Sequence, residues 1–87
     1  MKKLFIPEPQ DNIISGAAIT ADPDNYLVIV KNNEKTIGFL KMDSGENWEF
    51  YSSSGMECEM WDSDLEALAR DIIKRYKTAS VWVEQLK

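Results

Sequence analysis

Histidine is absent from this 87-residue chain, and cysteine occurs once, at Cys58. Without histidine no side chain has an ordinary pKa near neutrality, which excludes His-assisted nucleophilic triads and His-ligated metal sites. A single thiol makes neither an internal disulfide nor a Cys-cluster zinc site, and it suits a reducing cytoplasm. Gly16, Gly38, Gly45 and Gly55 stand isolated, so there is no glycine-rich phosphate loop. Long apolar runs are missing too. Residues 1–9 hold two lysines and then three apolar residues before Pro7, whereas a signal peptide needs roughly 7–15 and a membrane span about 20. The expectation is a cytoplasmic protein, neither exported nor membrane-bound.

What is present is globular. Hydrophobic residues at 44% and charged residues at 29% place the chain far from disordered compositions. Its length allows one domain, residues 1–87, with a small core. Folding alone buries about 60% of the unfolded surface in so short a chain, so a partner or self-association adds to stability.

Turn residues punctuate the chain at 7–12 (PEPQDN) and 21–25 (ADPDN), with a weak strand expected between them over 12–20. Residues 26–31 (YLVIVK) are almost continuously apolar and β-branched, the pattern of a central strand covered on both faces. Residues 32–34 read as a hairpin turn, 35–42 as the returning strand and 43–46 as a second turn. In the next strand, 47–52, alternation sets Trp48 and Phe50 on one face and Glu49 and Tyr51 on the other. After a turn at 53–55, residues 56–60 alternate thioether, acid, thiol, acid, thioether. That puts Cys58 on a buried face and Glu57 and Glu59 on the wet one, in register with Trp61.

The period then changes from 2 to 3.6. Ser63-Asp64-Leu65-Glu66 reads as a capping box with Ser63 as the cap. Leu65, Leu68, Ala69, Ile72, Ile73 and Tyr76 make one apolar helical stripe. Glu66 with Arg70 and Asp71 with Arg75 are spaced for ion pairs, and the basic residues at the helix end suit its dipole. Residues 79–85 read as a last strand, which either returns to the sheet or offers an edge to another chain. The predicted fold class is α+β: an antiparallel meander of four to five strands, one C-terminal amphipathic helix on one face, then a short terminal strand.

Charge is unevenly distributed. Residues 1–41 are neutral, residues 42–69 hold eight acids and no base, and residues 70–87 carry net +3. An acidic surface steers and holds a basic partner, as nuclease inhibitors and immunity-type proteins do. The plainer reading is a solvated hairpin with ordinary helix-start acids. The aromatic residues divide in the same way. Trp48, Phe50 and Trp82 are expected to pack under the helix. Tyr51 and Trp61 lie among acids and suit interface anchors. Glu57, Glu59, Asp62 and Asp64 lack the order of a calcium loop, so no metal site is expected.

The expected function is a small, acidic, non-enzymatic protein-binding domain of inhibitor or immunity type, occluding a basic surface and needing no cofactor. Its candidate contact residues are Glu46, Glu49, Tyr51, Glu57, Glu59, Trp61, Asp62 and Asp64. Two alternatives stand beside it. One is nucleic-acid binding through the basic helix end (Arg70, Lys74, Arg75, Lys77), which the net charge of −5 disfavours. The other is a self-associating homodimer paired through the terminal strand around Val81–Val83.

Overall fold

The computed structural model describes residues 2–6, 16–54 and 57–86. Strand β1 (Lys2–Ile6) is followed by a short helix α1 (Gly16–Ala21) and a 3-10 turn (Pro23–Asn25). Then come β2 (Tyr26–Asn32), β3 (Lys35–Met42), β4 (Trp48–Ser52), β5 (Cys58–Asp62), helix α2 (Leu65–Arg75) and β6 (Ala79–Gln85). The strands form one six-stranded sheet in the order β1-β6-β2-β3-β4-β5. Every neighbouring pair is antiparallel. The fold is α+β, with the meander β2 to β5 and the helix on one face as the residue pattern implies.

Local chemistry explains the connections. Asn33 and Glu34 both take positive φ, 53° and 68°, and so close the tight turn between the paired Asn32 and Lys35. At the next turn the Asp43 carboxylate accepts from the backbone N–H groups of Gly45 at 2.8 Å and Asn47 at 2.9 Å. Helix α2 begins at Asp64, whose carboxylate accepts from the Ala67 N–H at 3.3 Å. This corrects the expected capping box. With Asp64 as the cap, Ala67 falls where a box needs Glu or Gln, so Ser63 and Glu66 cannot form one.

One core lies between the sheet and the helices. Val28, Val30, Leu40, Trp48, Phe50, Val81 and Val83 from the strands meet Leu65, Leu68, Ala69 and Ile72 from α2 and Ile19 from α1. Each large side chain removed from water here contributes about 1.5–3 kcal/mol. Trp48 keeps its polar atom satisfied, its Nε1 donating to Thr20 Oγ1 at 3.1 Å. Gly38 lets β3 approach β4 closely, since a Cβ there would stand 2.4 Å from both the Phe50 ring and the Tyr51 carbonyl oxygen.

One further expectation is corrected, and two features of the sheet complete the description. Residues 16–21 are helical rather than part of a strand; Gly16-Ala17-Ala18 opens a helix short enough to bury Ile19 as its large apolar residue. The strand β1 was not anticipated, although Leu4, Phe5 and Ile6 before Pro7 carried its signal. The terminal strand β6 returns to the sheet and pairs on both sides, with β1 and β2. Among the described residues β6 therefore presents no free edge. The expected turn at 7–12, the first half of the expected strand at 12–20, and Gly55 and Met56 lie outside the described residues. No helix among the described residues is long and apolar enough to cross a membrane.

Candidate functional site

Both helices lie on the same side of the sheet, and among the described residues no second layer covers the other side. Alternation assigns residues to that open face. Ser80, Trp82 and Glu84 come from β6, Leu27, Ile29 and Lys31 from β2, and Phe39 and Lys41 from β3. β4 adds Glu49 and Tyr51, and β5 adds Cys58 and Trp61. Cross-strand register aligns Trp82 with Ile29, Ile29 with Phe39, Phe39 with Tyr51, and Glu49 with Trp61. Phe39 and Tyr51 stack with ring centroids 5.9 Å apart. The Lys41 ammonium lies 5.6 Å from the Phe39 ring centre and the Lys31 ammonium 5.4 Å from that of Trp82.

Trp82 is thus corrected. It lies opposite Val81 and Val83 and turns away from the helix, with its indole N–H donating to Ser80 Oγ at 2.8 Å. The expectation that β2 is covered on both faces is corrected as well. On the open side Ile29 is buried while Leu27 is 39% exposed, because Ile29 sits between Phe39 and Trp82 rather than under a second helix.

The eight candidate contact residues do not form one patch. Glu49, Tyr51 and Trp61 do come together on the open face. The Tyr51 hydroxyl donates to Glu49 Oε1 at 2.9 Å. That bond, followed by partial desolvation and the carboxylate's charge, pushes the phenol above its ordinary value. Trp61 stands directly across from Glu49 and is 66% exposed, the most exposed of the large apolar residues described.

A register shift in the β4–β5 pair redirects the others. Phe50 pairs with Met60 but Tyr51 pairs with Cys58, leaving Glu59 as an extra residue in β5. Cys58 is thereby exposed on the open face rather than buried, a correction of its expected place. Partial desolvation and then the Glu49 charge raise its thiol above the ordinary range, so little thiolate forms near neutrality. Glu59, expected beside Trp61, instead faces α2. Tyr76 donates its hydroxyl to Glu59 Oε1 at 2.7 Å and Arg75 approaches the same oxygen at 3.9 Å. Glu59 in turn pushes the Tyr76 phenol upward.

The remaining acids mark the ends of the hairpin. Glu46 is exposed in the β3–β4 turn at φ 63°. Asp62 and Asp64 stand at that same end, since Asp62 pairs with Trp48. Both are engaged locally, Asp62 Oδ1 accepting from the Asp64 N–H at 2.9 Å and Asp64 capping the helix. Glu57 is exposed at the opposite end, its carbonyl accepting from the Ser52 N–H at 3.3 Å. The acidic stretch that is continuous in sequence therefore wraps around a hairpin in space.

A cleft of about 590 Å3 opens beyond the Val28–Leu40 pair of β2 and β3, with Asp24, Lys41 and Asp43 as its charged lining. Among the described residues no three His, Cys, Asp or Glu side chains converge to hold a metal ion. No family model, curated protein or solved structure matches this chain.

Proposed function

We propose that this chain is a small non-enzymatic binding domain, of the inhibitor or immunity kind, that docks a basic protein surface through the β4–β5 corner of its open sheet face. The observation that carries the reading is Trp61, 66% exposed and set directly across from Glu49. An aromatic ring beside a carboxylate suits a lysine or arginine side chain, which stacks its cation on the ring and pairs its charge with the acid. Tyr51 and Phe39 extend the apolar floor, and Glu46 with Asp62 places further negative charge at the Trp61 end of the hairpin.

The test is retention of basic proteins from a native cell extract on the immobilised chain, at about 50 and about 500 mM salt, where screening differs severalfold. Retention at low salt that is lost with both Trp61→Ala and Glu49→Lys supports the reading. Retention indifferent to salt and to both substitutions removes it. A second reading has its own observation, because Lys31 and Lys41 lie over Trp82 and Phe39 on the same face. Such pairs suit single-stranded nucleic acid, with bases stacked on rings and phosphates on ammonium groups. Tight binding of a single-stranded oligonucleotide at physiological salt, abolished by Lys31→Glu with Lys41→Glu, would favour it over the first.

A further inference from the structure

We infer that the partner contributes an extended, arginine- or lysine-bearing segment that adds as a seventh strand along the outer edge of β5. This rests on the basic-partner reading above and specifies how the partner is held. Among the described residues β5 is terminal in the sheet order and pairs with β4 alone. A terminal strand directs half of its backbone N–H and C=O groups away from its only neighbour, and these are a template for another strand. The regular part of this edge is Met60–Asp62, where register with β4 is unbroken. Trp61, the exposed anchor, lies at its centre.

Charge selects the occupant. A second copy of β5 laid in parallel register against the first would set Glu59 against Glu59 and Asp62 against Asp62, and like charges across a strand pair are destabilising. A segment carrying cations meets the opposite situation on both sides of the sheet. On the open face its side chains reach Trp61 and, beyond it, Glu49. On the helix face they meet Asp62, while Glu59 already accepts from Tyr76 and lies 3.9 Å from the Arg75 guanidinium. The acids thus count against self-pairing and favour a basic strand. The same residues that guard the edge against aggregation set its specificity.

The experiment titrates the whole isotopically labelled chain with two synthetic heptapeptides of alternating arginine and valine. They are identical except that one is N-methylated at every interior residue, so that neither of its edges keeps pairing N–H groups. Methylation keeps the charge and removes the N–H groups that pair a strand. The expected result is binding of the unmethylated peptide, slowed amide exchange across residues 58–62, and at least a tenfold loss of affinity on methylation. Equal binding of both peptides without protection of those amides overturns strand addition while leaving a basic partner at this corner in place. Failure of both peptides to bind, or binding unchanged by Glu49→Lys and Trp61→Ala, overturns strand addition and the basic-partner reading together.

Discussion

The two faces of the sheet carry tryptophans in opposite circumstances. On the helix face Trp48 is 2% exposed, hydrogen-bonded to Thr20 and surrounded by apolar side chains from α1, α2 and the neighbouring strands. On the open face Trp61 is 66% exposed beside Glu49. They lie on adjacent strands, and the side of the sheet each points to decides its role. One contributes to stability by leaving water. The other keeps most of its surface in water.

Substitutions break or sharpen this contrast. The largest effect is expected from Trp48→Ala, which empties a filled core site and should cost about 3–5 kcal/mol by urea denaturation. Trp61→Ala, measured the same way, should stay within about 0.5 kcal/mol. A loss of several kcal/mol at Trp61 would make the open face structural and end the contrast. Gly38→Ala comes next, because the added methyl must displace the Phe50 ring or the β4 backbone; a loss of about 1–3 kcal/mol is expected. Asp64→Ala should then cost about 1 kcal/mol as a lost helix cap, with Ser63→Ala near neutral. The reverse order would reinstate the capping box.

The smallest effect is expected from pH. The folded chain holds the Tyr76 proton more tightly than the unfolded chain, chiefly because the hydroxyl donates to Glu59. Its contribution is therefore complete below the unfolded value near 10 and declines as pH rises through the higher folded value. Stability measured between pH 9 and 12 should fall less in Tyr76→Phe than in the parent. An identical fall in both would show that Glu59 does not hold the helix to β5 in this way. Cys58 offers a parallel check on the open face: it should be accessible to an alkylating reagent in the folded protein, with a rate that rises only at alkaline pH.

Much of the fold is legible in the residues because its periodicities are local. The alternation through Trp48 and Phe50, the polar turns at Asn33 and Asp43, and the Leu65–Ile72 stripe each state which side chains leave water. The candidate site is less legible. Alternation counted forward from Met56 assigns Cys58 to the core and Glu59 to the surface, and one extra residue in β5 reverses both. Trp82 resembles a core residue in a strand of apolar neighbours. Nothing in residues 79–85 says that Val81 and Val83, rather than Trp82, meet the helix.

The sequence by itself determined the element types from Tyr26 onward, the single helix-covered core and the excess of acids between residues 42 and 69, since these depend on composition and short-range period. Tertiary structure decided that β6 enters the middle of the sheet, that the acids divide among two faces and two ends of a hairpin, and that Trp61 and Glu49 become neighbours. Those outcomes depend on strand order and register, which are set by how distant segments bury their apolar faces together and not by any one segment alone.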